Sequence, residues 1–144
     1  MYYTIDDLDA VRQIDLPPMD TGAPAPHVVA SERALRLEYN RFADPECSIV
    51  TVVFEHPSAH YLGYPNDEVI RGHPLYERGL CLDGFFEVVS SSWIRAMERA
   101  NRIHPCHKAE LYVGLSHYVI TFHDSTFECV ARGYSYTIRP GELV

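Results

Sequence analysis

The amino-acid sequence predicts an α+β domain: a mostly antiparallel, strongly curved sheet of about five to seven strands, with one main helix at about residues 92–103 packed on one face. A β-sandwich or barrel with one helix is the alternative architecture. Three observations lead there. Strand-like segments come before and after the helix rather than alternating with it, which disfavours a parallel βαβ arrangement. Residues 117–123 (HYVITFH) and 126–132 (TFECVAR) form the clearest β-hairpin in the chain, both halves rich in aromatic and β-branched residues. Trp93, Ala96, Met97, Ala100 and Ile103 recur at helical spacing, the stripe of a helix packed on a sheet.

In chain order, residues 1–27 read as an N-terminal arm, and residues 28–144 as a single α+β domain. Residues 3–14 have a helical pattern, with Thr4 as N-cap and Asp6 and Asp7 in the first turn. Residues 16–27 (LPPMDTGAPAPH) hold four prolines in twelve residues, a linker that can neither continue a helix nor fill a central strand. Residues 28–39 and 48–55 are predicted as the first two strands, with residues 42–47 (FADPEC) as turn material between them. Residues 59–64 are a third strand. Asn66 is placed to cap a short helix whose first turn carries Asp67 and Glu68, with Gly72 to end it and Pro74 to block continuation. Residues 84–90 (GFFEVVS) are a further strand. Ser90, Ser91 and Ser92 then offer N-caps for the main helix, Glu98 and Arg102 form an i,i+4 pair along it, and Pro105 stops it. Tyr134, Tyr136 and Ile138 alternate with Ser135, Thr137 and Arg139 in the last strand.

The hairpin turn is expected at Asp124-Ser125, or as a four-residue loop over 123–126, which sets Phe122 opposite Phe127, Ile120 opposite Cys129 and Tyr118 opposite Ala131. One face is then apolar. The other gathers His117, Thr121, His123, Thr126, Glu128 and Arg132, and is expected to be either a solvated sheet face or a site.

Composition limits the function. The chain has 144 residues, 47% apolar and 22% charged, with a formal net charge of −8. That suits one globular domain. It argues against nucleic acid and anionic membrane surfaces, which need a basic footprint, and is compatible with a basic protein partner. No apolar run reaches the length of a membrane span, and the N-terminus lacks the pattern of a secretory signal. Cys47, Cys81, Cys106 and Cys129 are widely spaced without a CxxC pair, and are expected to be reduced thiols of a cytoplasmic protein. No GxGxxG, P-loop, HExxH or GxSxG motif is present.

Four chemistries remain. Acid–base catalysis by His123 with Glu128 is the first, since an imidazole beside a carboxylate can move a proton near neutral pH. His73, Tyr76, Thr121 and Arg132 are the candidate binding residues around it. The second is a divalent metal held partly by Cys106 and His107 in HPCH, a spacing that is not a standard zinc signature. Otherwise no cofactor is expected. The third is a thiol nucleophile: Cys106, between two histidines, is the candidate, because Cys129 falls on the apolar face. The fourth is a binding module without chemistry, partnered by a basic protein or by a second copy through a sheet edge.

The segments GYPNDEVIRGHPLY and HYVITFHDSTFECVA together resemble a group of small uncharacterised bacterial proteins. The resemblance covers about a fifth of the chain, implies a bacterial cytoplasmic origin and assigns no residue a role. The leading expectation is a binding or protein-interaction module. The alternative is a small His/Glu enzyme acting on a small molecule.

Overall fold

The structure, a computed structural model, describes residues 3–43 and 45–144. Met1 and Tyr2 of the predicted arm, and Asp44 of the predicted 42–47 turn, lie outside them. Among the described residues nine strands form two antiparallel sheets, so the fold is α+β and dominated by sheet. The strands are β1 (Ala10–Gln13), β2 (His27–Ala30), β3 (Leu35–Asn40), β4 (Ser48–Glu55), β5 (Ala59–Gly63), β6 (Phe85–Val89), β7 (Ser116–Thr121), β8 (Thr126–Ala131) and β9 (Gly133–Pro140). One sheet has the order β1-β6-β7-β8-β5, the other β2-β3-β4-β9. The count exceeds the five to seven expected because the predicted strand 28–39 divides into β2 and β3 and because residues 10–13, predicted helical, form β1; the strands also lie in two sheets instead of one curved one.

The two sheets pack face to face through the main core. Leu35, Leu37, Tyr39, Val50, Val52 and Phe54 from the four-stranded sheet meet Phe85, Tyr118, Ile120, Phe122, Phe127 and Cys129 from the other. Fully burying each such side chain stabilises by about 1.5–3 kcal/mol, so this layer dominates the stability. The five-stranded sheet is covered on its second face as well. Phe86, Val88 and Val119 pack against Ile70, Leu75 and Leu80, and Val130 packs against Tyr3 and Trp93. The cover there consists of a 3-10 helix (Asp67–Gly72), a second 3-10 turn (Tyr76–Arg78), the N-terminal residues and the start of α1 (Ser92–Asn101).

Four local expectations are corrected. Residues 28–39 are a hairpin, not one strand: Ser31 accepts from the Arg33 amide through its hydroxyl, and its own amide bonds Ala34 O, so the chain reverses. The helical pattern over 3–14 gives way to β1, because pairing with β6 at the sheet edge outweighs local propensity. Nor are residues 3–27 an arm outside the core: Tyr3, Asp9 and Met19 are buried, and Tyr39 Oη donates to Pro17 O at 2.7 Å. Asn66 precedes a helical turn, but its side chain makes no capping bond, and its buried Oδ1 has no partner among the described residues.

The main helix follows β6 as expected and is capped by Ser91, whose Oγ accepts from Ile94 N. Asp9 adds a second cap, accepting from Ser92 N at 2.8 Å and from Ser92 Oγ at 2.6 Å. The Glu98–Arg102 pair forms at 2.7 Å. The helix packs on the sheet through Trp93, Ile94 and Met97. Ile103, predicted on the same stripe, is exposed beyond its end.

Candidate functional site

The hairpin of β7 and β8 pairs Ile120 with Phe127, Tyr118 with Cys129 and Val119 with Glu128. The turn is therefore His123-Asp124, and Phe122 N bonds Ser125 O at 2.9 Å. This register differs from the expected one by two residues. An even shift keeps each side chain on its predicted face, so the apolar face is as expected. It also changes the neighbours of Glu128, and the predicted second face is not a surface. His117, Thr121, Thr126 and Glu128 on it are all buried.

Glu128, 1% exposed, is the centre of a closed polar cluster. Its Oε1 accepts from Tyr3 Oη at 2.6 Å and from His117 Nε2 at 2.8 Å, and its Oε2 accepts from His73 Nε2 at 3.0 Å. Each imidazole is fixed from its other side. His73 Nδ1 accepts from Leu75 N at 3.0 Å, so its ring hydrogen is on Nε2. His117 Nδ1 lies 2.7 Å from Ser91 Oγ. Trp93 and Tyr3 close the sides of His117 with edge-on ring contacts at 5.1 and 5.3 Å. Burial would raise the Glu128 carboxyl, but the hydrogen bonds from His117 and His73 outweigh it and lower it to about 2. The group is an ionised carboxylate with three donors, in a space sealed by aromatic rings.

The residues predicted as a site therefore divide. His73 meets Glu128. His123 does not: it sits on the turn, half-exposed, with Nδ1 2.9 Å from Asp124 and Nε2 3.8 Å from Asp67. The hydrogen bond to Asp124, together with the Asp67 charge, raises it above the ordinary imidazole value. Glu128 lies four residues beyond the turn, about 13 Å along the strand at about 3.3 Å per residue. Thr121 is committed to the backbone, donating to Cys81 O and accepting from Gly84 N. Tyr76 lines a different cavity with Asp67, Glu68, Ile70 and Arg71. Cys106 and His107 do not assemble a metal centre: the His107 nitrogens lie 2.7 Å from Asn101 Oδ1 and 3.1 Å from Glu98 Oε1. Among the described residues no three His, Cys, Asp or Glu side chains converge as ligands. Cys129 is buried, and burial raises its thiol well above the ordinary value, which makes it inert.

Two residues of the cluster carried no sequence signal of this role. Tyr3 belongs to the predicted arm, and Ser91 reads only as a helix cap. His117 was within reach of the sequence: with the hairpin shifted by two residues it becomes the diagonal neighbour of Glu128.

Arg132 belongs to a separate place. It follows β8 and lines a cavity of about 450 Å³ together with His56, Ser58, Asn101, His104 and Cys106. Leu111, Tyr112 and Leu115, from α2 (Glu110–Val113) and the residues after it, supply the rest of the wall. Compared with family models, curated proteins and solved structures, the chain matches none.

Proposed function

We propose that this chain is a protein-binding module that recruits an extended, basic segment of another polypeptide along the free edge of β9. The observation that carries the reading is the contrast among sheet edges. β1, β2 and β5 are edge strands of only four, four and five residues. Short edge strands resist unwanted pairing. β9 is eight residues long and exposed from Ser135 to Pro140, with Tyr136 48% and Ile138 43% exposed. Its one charged residue, Arg139, is spent on Glu38 at 2.7 Å. Alternate N–H and C=O groups of an edge strand have no ladder partner, and an added strand satisfies them. The net charge of −8 favours a basic strand and opposes a second copy of the same acidic chain.

The test uses a synthetic peptide of alternating Lys and Val. Hydrogen exchange should slow within β9 on adding it, and Tyr136→Lys/Ile138→Lys should remove the effect without loss of fold. Exchange unchanged in β9, or a dimer that forms without peptide and survives both lysines, contradicts the reading.

One observation favours the enzymatic alternative. Ser91 Oγ, His117 and Glu128 line up as hydroxyl, imidazole and carboxylate, and Ser91 borders a cavity of about 340 Å³. The acid–base pair would then be His117 and Glu128, not His123 and Glu128. A fluorophosphonate probe that labels Ser91 in the folded protein, and fails to label His117→Ala, supports this alternative. An unlabelled Ser91 removes it.

A further inference from the structure

The 450 Å³ cavity beside Arg132 stands apart from the rest of this acidic surface. Of the four cavities described, the other three each have carboxylates on their walls: Glu87 in one, Glu46 in the second, Asp67 and Glu68 in the third. The Arg132 cavity has none. In a chain with 20 acidic and 12 basic residues, such a wall is a local reversal of the overall charge.

Arg132 is also unneutralised. Arg12, Arg36, Arg78, Arg95, Arg102 and Arg139 reach a carboxylate, whereas Arg132, like Arg33, Arg41, Arg71 and Arg99, makes no ion pair among the described residues. One guanidinium nitrogen donates to Leu111 O at 3.0 Å, which fixes the fork and, among the described residues, leaves its other donors unused. The glycine at 114 gives the fork room: a Cβ there would lie 2.8 Å from Arg132 Nη1. His104 is oriented too. Its Nδ1 accepts from Cys106 N at 3.0 Å, so its ring hydrogen is on Nε2 and available for donation. His56 enters the wall from a left-handed backbone conformation (φ +46°), uncommon for a non-glycine residue and concentrated at functional positions. Leu111 and Leu115 give the wall an apolar part.

We infer that this cavity binds a small organic oxyanion, a phosphate monoester or a carboxylate, with Arg132 as the cationic anchor, His104 as a second donor and the apolar wall receiving the carbon part. The volume lies within the range of small-molecule sites, and a planar guanidinium matches an oxyanion bidentately. The site is separate from the β9 edge and does not depend on the reading given for that edge.

The experiment is calorimetric titration of the full chain with phenyl phosphate and benzoate, with benzyl alcohol as the neutral control. Both anions should bind and benzyl alcohol should not. Arg132→Gln should weaken the anions about tenfold or more, since a hydrogen bond to a charged group is lost. Arg132→Lys should recover part of that loss, and Arg99→Gln, at an exposed helix position, should leave affinity unchanged. An independent readout needs no variant. Phenyl phosphate should slow iodoacetamide alkylation of Cys106 and leave the exposed Cys47 and Cys81 unaffected. Benzyl alcohol binding as well as benzoate, wild-type affinity in Arg132→Gln, or no selective protection of Cys106 overturns the proposal.

Discussion

Two histidine-bearing regions of this molecule look alike in the sequence and differ in every physical respect. Around Glu128, two imidazoles, a phenol and a carboxylate satisfy one another inside a sealed space. Around Arg132, two imidazoles, a guanidinium and a thiol border an open cavity with no carboxylate on its wall. A buried polar group is costly unless its partners are complete, so a complete cluster is a structural joint. Donors that face an open space without an acceptor can take one from a ligand. Richness in titratable side chains therefore does not locate a site. What matters is whether its hydrogen bonds close within the chain.

That comparison can be broken from the closed side first. Glu128→Ala should have the largest effect, about 3–5 kcal/mol of stability, because it removes the buried acceptor that the Tyr3 hydroxyl and both ring N–H donors share. Urea unfolding followed by far-UV circular dichroism measures it. The same residue sets an acid dependence. Its carboxyl is lowered from 4.5 to about 2 on folding, so below 4.5 the unfolded chain binds more protons than the folded one. Stability from this group is therefore complete above about pH 4.5 and is lost as pH falls toward 2, about 3 kcal/mol in all. The difference between wild type and Glu128→Gln, measured across that range, should shrink as pH falls.

A smaller effect is expected at Ser91. Ser91→Ala removes the helix cap and the partner of His117 Nδ1, and should cost about 1–3 kcal/mol in the same unfolding assay. On the open side, Arg132→Gln should change stability by no more than about 0.5 kcal/mol while weakening the anions. A variant that kept binding and lost stability would reverse the assignment of the two regions.

The sequence made the fold class legible because periodicity and element order are local signals. The helix boundary, the strands at 48–55 and 59–63, and the apolar face of the last hairpin all follow from spacing. The second sheet face was misread for a reason that lies outside the hairpin. His117, Thr121 and Glu128 alternate with apolar residues as a solvated strand face would, yet Leu75, Leu80, Trp93 and Tyr3 arrive from distant parts of the chain to cover them. The N-terminal strand was hidden for the same reason: β1 exists because β6 offers it an edge. His73 and Glu128 are both candidates in the sequence, but the hairpin imidazole that meets Glu128 is His117, not the expected His123. The expected turn, Asp124-Ser125, lies one residue beyond the observed one, which shifts the pairing by two, because Asp and Ser both favour turns and the sequence alone does not choose between adjacent frames. Arg132 is a binding candidate in the sequence, whereas His56 and Ser58, contributed by a turn between strands, carry no pattern there.

One measurement compares the two regions directly: a long-range ¹H–¹⁵N spectrum of the histidine side chains, recorded while phenyl phosphate is added. The account predicts that His73 reports its hydrogen on Nε2 and that His73 and His117 do not move during the titration. His104 should shift to saturation, together with His56. Movement of His117 with a stationary His104 would contradict it, and would place the functional centre at Ser91, His117 and Glu128.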